Sequence, residues 1–169
     1  MAPITQILVA TDFSPCSEAA LAYARDLARA FSAKLHVLHT VETIVADVTG
    51  LEAYAAAIPE FQRQIEAAER EALEKTVTAD DRQTLGAVAV LRTTGLPARA
   101  ITDYAAAAGI DLIVLGTHGR RGIAHALLGS IAEKVVRTAP CPVLTVRERK
   151  PPAAESVPGG FDHGSQVGV

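Results

Sequence analysis

Apolar residues along this chain fall into two patterns. Five short runs are nearly continuous: QILVA (6–10), KLHVLHT (34–40), GAVAVLR (86–92), DLIVLG (111–116) and PVLTV (142–146). Strands covered on both faces read that way, as in parallel sheets. Between them apolar residues recur at helical spacing. Residues 17–32 put Ala20, Leu21, Ala24, Leu27, Ala28 and Phe31 on one face, with Ser14 or Ser17 available as cap. Residues 51–79 repeat Tyr54, Ile58, Phe61, Ile65, Ala68 and Ala72, and Pro59 is expected to kink or divide that segment. Residues 97–108 align Ile101, Ala105 and Ala108 ahead of Gly109, and residues 130–139 align Ile131, Val135 and Ala139. The order β-α-β-α-β-α-β-α-β specifies an α/β fold, an open parallel five-stranded sheet with helices on both faces. There is no duplicated half. Residues 148–169, rich in Pro and Gly and without a periodic apolar face, are expected to be a disordered tail, leaving residues 1–147 as the domain.

Composition narrows the function classes. The chain has 169 residues, 49% apolar and 21% charged, so a core of useful size is available, but aromatics are 4% and Trp is absent. That core must be built from Val, Ile, Leu and Ala. The net charge of −3, without a basic run, argues against nucleic acid as partner. No apolar run approaches the roughly 20 residues that span a bilayer. The N-terminus lacks the pattern of a secretory signal, and Cys16 and Cys141 stand far apart, so the expected location is cytoplasmic and a disulfide scaffold is not expected.

In open α/β sheets ligands bind beyond the carboxyl ends of the strands, where the strand order reverses. If the order is 3-2-1-4-5, the ends of strands 1 and 4 flank that crevice. Strand 1 ends in ATDFSP (10–15) and strand 4 runs into GTHGRRGIAHALLGS (116–130). Gly116 and Gly119 are read as allowing close backbone approach and positive φ. Gly129-Ser130 falls where the fourth helix begins, and free N–H groups there favour an anion. The Ser130 hydroxyl and Arg120 or Arg121 can add phosphate bonds; alternatively Ser130 is only an N-cap and the glycines only a turn. Asp12 can accept hydrogen bonds from ribose or an adenine amine, help hold a metal, or cap the first helix.

Four segments in order then carry a resemblance: ILVATDFSPCSEAALAYARDLA, LHVLHTVE, TTGLPARAI, and the loop fitting G-x2-G-x9-G-[ST] followed by AEKVVRTAPCPVLTVR. Residues 4–147 resemble a universal stress protein of the ATP-binding group. The resemblance implies a Rossmann-like sheet of order 3-2-1-4-5 with ATP or another adenine nucleotide in the crevice. It implies that Ala10, Thr11 and Asp12 hold the adenosine end and that the Val41 backbone meets adenine. Leu115, Gly116, His118, Gly119 and Arg120 would wrap ribose and phosphates, and Gly129, Ser130 and Ile131 would meet the phosphates, with Mg or Mn as companion. Ala132 departs from the second hydroxyl common in ATP binders, which removes one phosphate bond. The family also implies a homodimer through the last strand, residues 142–147.

Other residues add little. His36 and His39, three apart in one strand, point to opposite faces and cannot share a metal. His118 and His125 lack the Cys, His or acidic company of a zinc site. Cys16, near a helix start, is either redox-active or an inert packed thiol. No residue stands out as a general base. The expected function is a nucleotide-binding stress-response or signalling protein with at most slow ATP hydrolysis; the alternative is a nucleotide-independent dimeric interaction module. A phosphoacceptor receiver lacks its acidic cluster, and an ATP pyrophosphatase lacks its Ser-Gly-Gly loop.

Overall fold

A computed structural model describes residues 3–44, 57–119 and 128–148. The chain runs β1 (Gln6–Thr11), α1 (Pro15–Phe31), β2 (Lys34–Val41), α2 (Ile58–Thr76), α3 (Ala79–Leu85), β3 (Val88–Thr93), α4 (Pro97–Ala107), β4 (Leu112–Gly116), α5 (Ser130–Thr138) and β5 (Val143–Val146). All four strand pairings are parallel and the sheet order is β3-β2-β1-β4-β5. The fold is the Rossmann-like one expected, with the order reversing between β1 and β4.

Strand alternation divides the core in two. Ile7, Val9, Leu35, Val37 and Val114 face α1, Leu73 of α2 and Leu85 of α3. Leu8, Leu38, Ile113 and Leu115 face Ile101 and Ala105 of α4 and Ala132 and Val135 of α5. The small alanines of α1, Ala20, Ala24 and Ala28, are fully buried and let that helix lie close to the sheet. Burial of this kind contributes about 25 cal/mol per Å² of apolar surface and dominates the stabilisation.

Several expectations need correction. Phe31 is exposed, because α1 ends there and Ser32 turns away in the left-handed region at φ 52°. Pro59 neither kinks nor divides a helix; it occupies the first turn of α2, where its missing N–H costs nothing. Phe61 and Ile65 are exposed, whereas Gln62, Glu66 and Glu69 turn inward and Leu73 anchors the helix. Residues 77–87 hold α3, which was not anticipated. Thr78 and Asp81 form its capping box, and Gly86, expected in the third strand, closes it at φ 56°. In α5 the inward residues are Ala132 and Val135, and Ile131 is 45% exposed. Residues 51–56, with Tyr54, and residues 149–169, nearly all of the expected tail, lie outside the described residues.

Two carboxylates hold the elements together. Asp81, 2% exposed, receives Arg25 Nε and Nη2 at 2.8 and 2.7 Å, tying α3 to α1, while Arg25 Nη2 also donates to the Thr76 carbonyl. Burial opposes the charge on Asp81, but the bonds from Arg25 and Thr78 outweigh it and hold the carboxyl below its ordinary range. Asp111 accepts from the Thr5 amide, the Thr5 hydroxyl and the Gln6 amide at 2.7, 2.9 and 2.9 Å, joining the starts of β1 and β4.

Candidate functional site

Beyond β1 the chain makes a constrained turn. Phe13 adopts φ 61°, a conformation few bulky residues take. Three contacts hold it: its amide donates to Thr11 Oγ1 at 3.0 Å, and its ring lies on His39 at 4.5 Å between centroids; Thr11 Oγ1 in turn meets Ser17 Oγ at 3.2 Å. Asp12 Oδ1 accepts the Ser14 amide at 3.2 Å and the Ser14 hydroxyl at 2.6 Å. Ser14, not Asp12, is the N-cap of α1, accepting the Ser17 amide at 3.3 Å. Asp12 therefore orients the cap, and its other oxygen faces the glycine loop.

The loop glycines are explained by close approach, not by backbone conformation. Neither Gly116 nor Gly119 has positive φ, which corrects half of the expectation. A Cβ on Gly116 would stand 2.9 Å from Cys16 Sγ and 3.0 Å from both the carbonyl carbon and oxygen of Cys16. The end of β4 thus packs directly onto the first turn of α1. Cys16 is buried there, donating to the Val146 carbonyl at 3.4 Å. A Cβ on Gly119 would stand 2.6 Å from Asp12 Oδ2. Asp12 and the loop, expected to face each other across the crevice, are in direct contact at its floor.

The loop returns at α5. The Gly129 amide donates to the Thr117 carbonyl at 2.6 Å and Gly129 caps the helix, with Ser130 as the first helical residue. No side chain caps this end. Ser130 is therefore not the N-cap, and the first amides of α5 carry the positive end of the helix dipole toward the cleft. His118 Nδ1 lies 3.0 Å from the Thr117 hydroxyl.

These parts line one cleft of about 850 Å³. Eleven of the twelve residues singled out from sequence stand in its wall: Ala10, Thr11, Asp12, Val41, Leu115, Gly116, His118, Gly119, Gly129, Ser130 and Ile131. Arg120, with Arg121 and His125, lies outside the described residues. Leu38, Ile101 and Leu115 give the cleft an apolar side suited to a flat base, and the Val41 carbonyl at its rim already accepts the Thr94 amide at 2.9 Å. Sequence reasoning missed His39 and Glu69, which also line it. His39 Nδ1 lies 2.8 Å from the Thr11 carbonyl and Nε2 lies 3.4 Å from Glu69 Oε2. Its place at the carboxyl end of β2, next to the crevice, was the available signal. His36 faces the other side of the sheet, bonded to Tyr104 and Gln6, as strand alternation requires. Among the described residues no three His, Cys, Asp or Glu side chains cluster as metal ligands. Among the same residues no helix is long and apolar enough to cross a membrane.

Comparison with known proteins agrees with this fold. Residues 3–147 match the model of the universal stress protein family. A universal stress protein of Thermus aquaticus is 38% identical over 142 residues, covering 83% of this chain and 97% of the relative. One from Methanocaldococcus jannaschii is 33% identical over 147 residues, covering 86% and 83%. Among solved structures, the universal stress protein UspA of Lactobacillus plantarum superposes with a TM-score of 0.67 at 28% identity, covering 87% of this chain and all of that one. A universal stress protein in complex with cAMP superposes at 0.60 with 27% identity, covering 88% and 100%. The chain belongs to the universal stress protein family.

Proposed function

We propose that the cleft binds an adenine nucleotide, ATP in the first instance, and that the protein is a stress-response or signalling binder with at most slow hydrolysis. What supports this most is the convergence of the β1 turn, the glycine loop and the uncapped start of α5 on one cleft with an apolar side. The structural relative that carries cAMP supports it further. In this reading the base lies along Leu38, Ile101 and Leu115 near the Val41 backbone. Ala10, Thr11 and Asp12 hold the adenosine end; Leu115, Gly116, His118, Gly119 and Arg120 wrap ribose and phosphates; and Gly129, Ser130 and Ile131 meet the phosphates. Mg or Mn fits as an ion held mainly by the phosphates, with Asp12 as the protein carboxylate nearest the loop. Asp12 already accepts two bonds from Ser14, which suits holding a ligand better than abstracting a proton.

The second reading, a nucleotide-independent dimeric module, concerns the β5 edge of the sheet, next to β4. β5 forms one edge, with Leu144 36% exposed and Val136 of α5 46% exposed. An exposed apolar edge strand invites pairing, so we propose a homodimer through residues 142–147 in the cytoplasm.

The test is calorimetric titration with ATP and Mg, joined to a mass spectrum of small molecules released from the purified, denatured protein. An adenine nucleotide in either is the expected result. Gly129→Val places bulk where a Cβ alone already meets the Thr117 carbonyl at 3.1 Å. It should abolish binding while circular dichroism stays that of the parent. Normal ATP binding by that variant would reduce the loop to a turn.

A further inference from the structure

We propose that Gln62 is a positioning residue for the base end of the cleft: its side-chain amide holds the backbone just past β2 as a neighbouring strand would, and so sets the affinity for the nucleotide. The proposal rests on the nucleotide reading above. β2 ends at Val41, whose carbonyl accepts the Thr94 amide at 2.9 Å. Glu42, Thr43 and Ile44 run on past the strand and, with Val41, line the cleft. Gln62, in the second turn of α2, reaches this stretch. Its Oε1 accepts the Ile44 amide at 2.9 Å and its Nε2 donates to the Glu42 carbonyl at 3.4 Å. The Ile44 amide can only donate, so polarity fixes which end of the carboxamide faces it. In a parallel ladder a residue likewise gives its N–H to one carbonyl and takes the N–H two residues further on. One side chain thus stands in for a strand where the chain has left the ladder.

A further bond locks that side chain. Nε2 also donates to Glu66 Oε1 at 3.2 Å, one turn later on the same face of α2, and Glu66 Oε1 accepts the Thr93 hydroxyl at 2.8 Å. Thr93 is the register partner of Val41. Gln62 and Glu66 therefore tie one helical turn to the ends of β2 and β3, on both sides of the step beside which the base lies. The base end of the cleft needs such a hold. Leu38, Ile101 and Leu115 offer apolar area without direction, and polar backbone beside them orients a ligand only where it is already fixed. A wall ordered in advance leaves less ordering for the ligand to impose. Gln62 supplies that order from behind: the described lining includes Glu42, Thr43 and Ile44 but not Gln62 itself.

Calorimetric titration of the full chain with ATP and Mg reads the effect. Gln62→Leu keeps much of the size and removes the amide. It should bind ATP roughly five- to tenfold more weakly, because the ligand must then order the wall itself. Its urea midpoint should stay near that of the parent, since Gln62 is only half-buried. Gln64→Leu alters an exposed amide bonded to Glu60 and should bind like the parent. Exchanging the two groups, Gln62→Glu with Glu66→Gln, can remake every bond of the network except the one at 3.4 Å, and should recover most of the affinity. A second readout needs no nucleotide: in the free ¹⁵N-labelled protein the Ile44 amide should exchange with solvent more slowly than in Gln62→Leu. Equal ATP affinity in parent and Gln62→Leu, a loss shared by Gln64→Leu, or an exchanged pair no better than Gln62→Leu overturns the proposal. So does an Ile44 amide that exchanges at one rate in both proteins. If ATP fails to bind the parent while Gln62 slows the Ile44 amide, the nucleotide reading has failed and the hold on the wall has not.

Discussion

The two edges of this sheet use the same residue types in opposite ways. At the amino edge Asp111 accepts three hydrogen bonds from Thr5 and Gln6, and in the α1–α3 seam Asp81 is enclosed by Arg25 and its own capping box. Those carboxylates close the structure. At the carboxyl edge Asp12 orients a helix cap with one oxygen and meets a glycine with the other, Phe13 is held in the left-handed region, and α5 begins without a side-chain cap. Carboxylates that are enclosed within the protein at one edge face a cleft at the other. Enclosed polar groups give stability; strained backbone and groups at a cleft serve binding and cost some stability.

The comparison breaks most visibly at Asp81. Asp81→Ala leaves Arg25 without its carboxylate and removes half of the α3 capping box, so a loss of about 3 to 5 kcal/mol is expected, measured by urea denaturation. ATP affinity measured well below the midpoint should not change, because Asp81 is on the closed side. A loss of affinity without loss of stability would erase the distinction between the edges.

The two loop glycines sharpen it. Gly116→Ala drives a Cβ into the backbone of Cys16, which cannot yield without moving α1, and overpacking of this kind costs about 1 to 3 kcal/mol. Gly119→Ala drives a Cβ only into the end of the Asp12 side chain, which can swing. It should cost little stability yet weaken ATP by roughly tenfold, through displacement of Asp12 from its aim. Denaturation and titration on both variants check the pair; equal effects on stability would show that the loop is packed uniformly and not divided between packing and binding.

The strands were legible because burial on both faces writes itself as continuous apolar runs; the sheet order came from the family resemblance, and the crevice then followed from the switch point. What was not legible came from contacts distant in sequence. The inward face of α2 is polar, Gln62, Glu66 and Glu69, because those side chains bond the rim of the sheet; periodicity alone assigns Phe61 and Ile65 to the core instead. Gly116 is small because of Cys16, one hundred positions earlier, and no local pattern records that. α3 carries a capping box, but its seven residues are too few for a periodic signal. His39 was weighed only as a metal ligand, since its bond to Thr11 depends on strand register.

The smallest expected effect is one of pH, and it comes from His36 of β2. His36 is held neutral between a donor and an acceptor: the Tyr104 hydroxyl gives to Nδ1 at 2.7 Å and Nε2 gives to Gln6 Oε1 at 2.8 Å. Burial, aided by Lys34, lowers its pKa from the ordinary 6.5. The unfolded chain therefore takes up the proton first as pH falls. Stability contributed by His36 is present above pH 6.5 and is lost as pH drops from there toward its folded value, by at most one proton's worth of slope. The carboxylates Asp81 and Asp111, lowered from 3.8, act in a separate and more acidic window. Urea midpoints at pH 7.5 and 5.5 should show the parent less stable at the lower pH and His36→Gln nearly level. A fall in stability that survives in His36→Gln would show that His36 is not its source.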